Sequence, residues 1–296
     1  MTKMKIIAEF SFKRGKKSKK SNRGFLQFPS LSFNQRIRCD MVLSSLKRLR
    51  GDILDVGCGP GTSGRMLEIN GSHVVYLDID KLVLLRHLRN RDRVVADGSA
   101  LPFKDRSFDF TTSVDTLEHL PKSKREAFIV ELLRCAKRRV VFTFSQLHKH
   151  NPRRCGILLF ELFFKLFKLP YPPWYEEHNA QAIPHLSHVK DIIRHCGFAS
   201  HTKAYNGFLT VFIKGFLGAS RASLRYNIDR QLPNTPAHYP LFLTILNYFI
   251  YLILSIIDTP PYYSFAVEVR LKTSEFDSAR ERKLLSNKKR RMVEYV

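Results

Sequence analysis

Asp55-Val56-Gly57-Cys58-Gly59-Pro60-Gly61 sets a carboxylate and three glycines directly after the short apolar stretch DILDV (52–56). Glycines there let the backbone turn tightly and let a ligand approach closer than any Cβ would allow. In YLDID, Asp78 closes a second apolar run, HVVYLD (73–78). A carboxylate at that strand end can accept both hydroxyls of a ribose. A dinucleotide enzyme would share this logic, but the glycine spacing here is GxGxG and not GxGxxG. Further on, Asp115-Thr116-Leu117-Glu118-His119 offers two carboxylates and an imidazole just past FDFTTS (108–113). Such groups can take a proton from an acceptor or hold a hard divalent cation.

These residues need a scaffold that brings them together. The spacing predicts a helix over 36–50, with Ile37, Met41, Val42, Leu46 and Leu49 near helical periodicity. Strands at 52–56, 73–78, RVVA (93–96), 108–113 and RRVVFTF (138–144) then alternate with helices at 62–69, 81–88 and 124–136. In the last of these, Phe128, Leu132 and Leu133 face inward. Alternation of this kind implies a parallel sheet with right-handed crossovers, and near-continuous apolar strands imply cover on both faces. A helix at 189–195, a strand at 199–204 and SFAVEVRL (264–271), which alternates like an edge strand, follow.

Stretches of this sequence, taken in register, resemble the class I S-adenosylmethionine-dependent methyltransferases, particularly the type 11, ubiquinone-biosynthesis-like group. ILDVGCGPGTSGRML is similar to the cofactor-binding glycine loop. VVADGSALPFKDRSFDF resembles the group's segment around its third and fourth strands, and SVDTLEHLPKSKREAFIVELLR the helix that follows. The likeness covers Asp52 to about Ser145, continues to Gly197 and resumes at the last strand. It implies an α/β fold with a Rossmann-like, doubly wound, seven-stranded, mostly parallel sheet carrying helical apolar insertions. It also implies S-adenosyl-L-methionine as cofactor. Asp55, Gly57, Gly59 and Gly61 would hold the amino-acid end and Asp78 the ribose, with Ile79 beside it. Asp97 would accept from the adenine amino group, Gly98 and Ser99 would line the ring, and Ser113 completes the set.

The same resemblance makes Asp115, Glu118 and His119 the catalytic candidates. In ubiquinone-pathway and small-RNA methyltransferases the matching ExxEH run binds a divalent metal, and His178 of WYEEHN could add a ligand here. The wider group carries EHLP without metal, as a pocket-shaping segment. No metal ligand is assigned and no divalent metal is expected. Trp174–His178 also resembles, more loosely, a stretch in type 11 enzymes. His185-x-x-His188 lacks an acidic or cysteine partner at ligand spacing and reads as a surface loop and helix start.

Composition excludes a disordered tail protein, a collagen-like repeat and a disulfide scaffold: 296 residues, 44% hydrophobic, 26% charged. The net charge of +24 points to an anionic partner or surface. Fourteen Lys/Arg lie in residues 1–50 against Glu9 and Asp40 alone, about half of the excess. Lys288-Lys289-Arg290-Arg291 forms a second basic patch. The five cysteines are scattered without a CxxC pair, which fits a reducing cytosol. The start MTKMKIIAEFSFKR is too broken by Glu9 for a signal peptide.

Two long apolar runs interrupt the second half, Gly156–Pro170 and Leu241–Ile257, with a shorter one at Phe208–Leu217. Their polar residues fall on narrow stripes. Phe/Leu helices flanked by Lys/Arg suit the boundary of an anionic leaflet; the competing reading is a lid over the pocket or a dimer seam. The expected organisation is a basic arm (1–35), a methyltransferase domain (36–273, insertions at about 146–185 and 206–260) and a basic tail (274–296). The expected protein is cytoplasmic and peripherally membrane-associated, acting on a lipid-linked, isoprenoid or glycolipid acceptor, most readily at oxygen. A nucleic-acid methyltransferase and a non-catalytic scaffold are the competing functions, and the oligomeric state is left open.

Overall fold

The apolar runs become strands of one sheet: β1 (Asp52–Val56), β2 (His73–Asp78), β3 (Arg93–Val95), β4 (Phe108–Val114), β5 (Ala136–Ser145), β6 (Ser200–Tyr205) and β7 (Ser264–Arg270). The computed structural model describes residues 33–46, 49–146, 161–162, 164–166, 183–205 and 264–271. Strand order is β3-β2-β1-β4-β5-β7-β6. The first five strands pair in parallel, and β7 runs antiparallel between β5 and β6. The expected doubly wound, mostly parallel seven-stranded sheet is therefore present.

Helices α1 (Phe33–Leu46), α2 (Thr62–Ile69), α3 (Lys81–His87), α4 (Lys122–Cys135) and α5 (Leu186–His195) divide between its faces. Side chains alternate across a strand, so neighbouring residues enter opposite cores. Ile53, Tyr76 and Val141 join Val42 and Leu46 of α1, Leu67 of α2 and Leu84 of α3. Leu54, Val75 and Val140 join Phe128 and Leu132 of α4 and Ile193 of α5. Both cores are needed to bury strands this apolar.

One expectation is corrected. Residues 264–271 were read as an edge strand, yet β7 is an inner strand and β6 is the edge. The misleading residue is Glu268. Arg139 (3.3 Å) and Arg270 (2.8 Å) pair with its carboxylate, so an inner strand can carry it. Helix α1 also begins at Phe33, ahead of the boundary expected at 36.

The ALPFKDRS stretch (100–107) before β4 is an irregular loop fastened from α4. Arg134 donates to the carbonyls of Phe103 (2.7 Å) and Leu101 (3.1 Å) and to Asp105 (2.9 Å), while Glu131 accepts from the Leu101 N–H (2.7 Å). Glu131 also pairs directly with Arg134 at 2.7 Å. Removing the guanidinium strands several partly buried acceptors at once. Arg134→Met is expected to cost about 3 kcal/mol of stability, read by chemical denaturation. A loss within error of zero would show that water replaces the whole network.

Residues 1–32 of the expected basic arm (1–35), most of Gly156–Pro170, the runs Phe208–Leu217 and Leu241–Ile257, Trp174–His178 and the tail 274–296 lie outside the described residues. Within the first run Phe164 is buried, and Leu162 and Leu166 are exposed. Among the described residues no helix is long and apolar enough to cross a membrane.

Candidate active site

The carboxyl ends of parallel strands open onto a crevice where the chain order reverses. Here β1 and β4 lie side by side at the centre, and the first of the expected site residues follow β1. Gly57, Gly59 and Gly61 all have positive φ (67°, 52° and 75°), a conformation that L side chains rarely adopt. Around Gly59, among the described residues and apart from its own chain neighbours, an added Cβ would meet no atom within 4 Å. The protein's own packing does not require that opening, and a bound ligand could use it.

Asp78 fixes the loop from β2. Its Oδ2 accepts from the Gly59 N–H at 2.8 Å and its Oδ1 from the Asp80 N–H at 2.9 Å. Each oxygen keeps a lone pair for a further donor. Asp80 in turn caps α3, accepting from Leu82 N (2.8 Å) and Val83 N (3.1 Å). Beside Asp78, Ile79 is 69% exposed, an apolar surface that a planar ring could cover.

Asp55 is fully buried. Its Oδ2 accepts from Ser63 Oγ (2.8 Å) and the Gly64 N–H (3.1 Å), tying the glycine loop to the start of α2. Its Oδ1 has no hydrogen-bond partner among the described residues. Burial pushes this carboxyl up to about 6, against the pull of the Ser63 and Gly64 hydrogen bonds. Gly64 extends the glycine series by one member that the sequence reading did not single out; a Cβ there would strike Tyr76.

Asp97 sits past β3. Its Oδ1 accepts from the Ser99 N–H (2.9 Å) and Oγ (2.7 Å), and Lys124 Nζ lies 2.6 Å from Oδ2. Burial opposes ionisation, but the hydrogen bonds from Lys124 and Ser99 outweigh it and hold the carboxyl at about 2. Gly98 is required by packing, since a Cβ would lie 2.6 Å from the Phe128 ring. Lys124 was missed by the sequence reading, because nothing local links it to Asp97. The ion pair is substantially exposed, so Lys124→Met is expected to change cofactor affinity by less than about fivefold. Calorimetry with S-adenosylhomocysteine would check this, and a tenfold loss would make Lys124 a ligand-binding residue.

On the β4 side, Ser113 is buried at the strand end. Thr116 donates to the Gly57 carbonyl at 3.3 Å, joining the two loops. Asp115 has φ of 48°. Its Oδ1 accepts from Thr143 Oγ1 (2.6 Å) and Tyr205 OH (3.4 Å), and its Oδ2 pairs with Arg38 Nε at 2.8 Å. Glu118 is buried and accepts from the Ser145 N–H at 3.1 Å. Burial and then the Asp115 charge push its carboxyl well above the usual range, which favours the neutral acid. His119, next in sequence, is exposed. Asp115 and Glu118 thus share one polar cluster, and His119 faces solvent.

Among the described residues no group of three or more His, Cys, Asp or Glu gathers to hold a metal ion. The donor chemistry agrees: Asp115 is already paired with a cation, and Glu118 favours the neutral form.

Residues 54–144 match the family described as a methyltransferase domain. Over 84 residues the chain is 37% identical to a malonyl-acyl-carrier-protein O-methyltransferase of Pseudescherichia vulneris, 27% of this chain and 33% of that protein. It is 36% identical over 95 residues to the 18S rRNA (guanine(1575)-N(7))-methyltransferase of Saccharomyces cerevisiae, 29% of this chain and 34% of that one. Over 102 residues it is 38% identical to a demethylmenaquinone methyltransferase of Clavibacter sepedonicus, 31% and 41% of the two. The chain therefore spans only 33 to 41% of the length of these relatives. The family match, residues 54–144, runs from β1 into β5 and includes the glycine loop, Asp55, Asp78 and Asp97.

Proposed function

We propose that this chain, whose residues 54–144 are a class I S-adenosylmethionine-dependent methyltransferase domain, transfers the cofactor's methyl group to a lipophilic acceptor at an anionic membrane surface. When bound, the cofactor supplies an electrophilic methyl as a sulfonium, moved by in-line displacement. The chain's own residues bind, align and exclude water. In this reading Asp78 accepts the ribose hydroxyls, with Ile79 covering the ring system. The backbone of Gly57, Gly59 and Gly61 and the unpartnered oxygen of Asp55 meet the amino-acid end. Asp97, Gly98 and Ser99 face the adenine, and Ser113 closes the floor. At an oxygen acceptor, exposed His119 takes the proton, while Asp115 and Glu118 shape the pocket behind it.

Where the described strands end is the observation that supports the acceptor class. β5 stops at Ser145, β6 stops at Tyr205 and β7 starts at Ser264, and these three residues lie in one cross-strand row. Thr143 of that edge bonds Asp115. The two stretches that contain the long apolar segments, after 146 and after 205, therefore both leave the described strands at this row. The basic residues 1–32 lead into α1, which reaches Asp115 through Arg38. Apolar and cationic segments rooted together suit a docking surface on anionic lipid beside the acceptor entrance. In the cell this means a cytoplasmic protein held peripherally on the membrane.

Flotation with vesicles of neutral or anionic lipid, with and without residues 1–24, tests the membrane reading. Binding to anionic vesicles that weakens on truncation supports it. The net charge of +24 keeps one second reading, a nucleic-acid methyltransferase. Labelled-methyl transfer into membrane extract or into RNA separates the two. Label found only in RNA, with salt-steep RNA binding and no flotation, sinks the lipid reading.

A further inference from the structure

The strongest unassigned feature is a cation supplied by a helix outside the matched domain. Arg38 lies in α1 between two buried residues, Ile37 and Cys39. Ile37 packs with Tyr205 and Ala266, which pins this part of α1 against the strand ends of β6 and β7. The guanidinium reaches Asp115 at 2.8 Å. The other Asp115 oxygen is held by Thr143 and Tyr205, so the carboxylate is fixed from three directions. Glu118 lies on the same short loop with one oxygen bonded to Ser145 and the other without a partner among the described residues. Burial disfavours the charged guanidinium, but its acidic surroundings, Asp115 first among them, outweigh that cost and hold its pKa above the ordinary value.

Two carboxyl groups on one loop at a crevice edge are the kind of oxygen donors that a hard divalent cation takes. In the enzymes whose ExxEH run this segment resembles, the matching residues hold such an ion, although none is expected here. The residues present do not fit it, because Arg38 holds Asp115 and His119 is exposed. We propose that Arg38 is a positioning residue that serves as the built-in cation of the acceptor side, standing where an ExxEH enzyme holds its metal ion. A guanidinium is permanently charged and carries five N–H donors, so pairing with one carboxylate leaves capacity to orient an acceptor oxygen. No chelator can remove it. The inference uses the methyltransferase reading only to name the acceptor side; the ion-binding test below stands without it.

The test is a titration with Mn²⁺ alone, followed by calorimetry and by the electron paramagnetic resonance of free Mn²⁺. Wild type is expected to bind none up to about 1 mM. Arg38→Gln is expected to gain one site per chain, at least tenfold tighter than any wild-type binding. Arg38→Lys, which keeps a cation, should gain none, and Arg38→Gln/Asp115→Asn should lose the new site. S-adenosylhomocysteine binding and a thermal melt confirm that each variant is folded. One Mn²⁺ bound tightly to wild type and lost in Asp115→Asn would overturn the proposal. So would a folded Arg38→Gln that gains no affinity. Should Arg38→Gln fail to fold, the paired titrations of wild type and Asp115→Asn still decide it. Failure of the methyltransferase reading shows separately, as absent binding of S-adenosylhomocysteine to wild type.

Discussion

Asp78→Ala is expected to weaken S-adenosylmethionine binding by about two orders of magnitude while leaving the fold intact. Two effects add. A carboxylate receiving two ribose hydroxyls makes charge-assisted hydrogen bonds, each contributing about 1.5–3 kcal/mol. The same carboxylate also holds the Gly59 N–H at 2.8 Å, so alanine frees the turn that shapes the amino-acid end of the site. Asp78 stands at a partly exposed strand end, not in either core. The melting temperature should therefore move little. Isothermal calorimetry of wild type and variant reads the effect, with the melt as control. A loss below about fivefold, with the fold intact, would mean that Asp78 braces the loop and does not touch the ribose. Asp78→Asn should fall between the two, since its amide keeps one acceptor oxygen and loses the charge.

The second large effect concerns stability and pH. Burial lifts the Asp55 carboxyl from an ordinary 3.8 to about 6. A folded-state pKa above the unfolded value means that the folded protein binds the proton more tightly than the unfolded chain. The associated stability is fully present below about 3.8 and is lost as pH rises through about 6. The amount is about 3 kcal/mol, an order-of-magnitude figure for so buried a group. Asp55→Asn keeps an acceptor for Ser63 and Gly64 and removes the ionisation. It should match wild type near pH 4 and exceed it by up to about 3 kcal/mol at pH 7.5 in chemical denaturation. Glu118 shifts the same way, so wild type alone cannot isolate Asp55, whereas the difference between the two proteins can. Parallel pH profiles would show that Asp55 is not ionising against its burial. Asp97 has the opposite sign: its contribution is lost only as pH falls from 3.8 through about 2. A gain of stability in Asp55→Asn should accompany weaker cofactor binding, because the amide nitrogen no longer offers a carboxylate to the ligand.

What could be read from the sequence follows from the range of the interactions involved. Strands such as HVVYLD are nearly all apolar because both faces are covered, and the alternation of Ile53 and Leu54 between two cores needs no distant information. The glycine loop and Asp78 were legible for the same reason, since positive φ at Gly57, Gly59 and Gly61 is a local demand. The residues missed are long cations whose partners lie far along the chain. Arg38 meets Asp115, Lys124 meets Asp97 and Arg134 meets Phe103. None of these pairs has a spacing that a helix or strand period would reveal. β7 was misplaced at the edge because Glu268 alternates like a solvent-facing residue, and two arginines make its inner position tolerable. Glu118 and His119, adjacent in sequence and both catalytic candidates, differ in burial, which adjacency cannot disclose.

The pairing of Tyr205 with Ser264 carries a last consequence. These residues bound everything between 205 and 264, and as cross-strand neighbours they sit only a hairpin's width apart. The β6–β7 ladder therefore fixes how far apart the two ends of this stretch stand, and loop closure costs grow slowly with length. Replacing residues 206–263 by a short turn should leave β6 paired with β7, since the turn need only span cross-strand neighbours. The length of chain between these two positions can then change, by insertion or deletion, at little cost to the ladder that joins its ends.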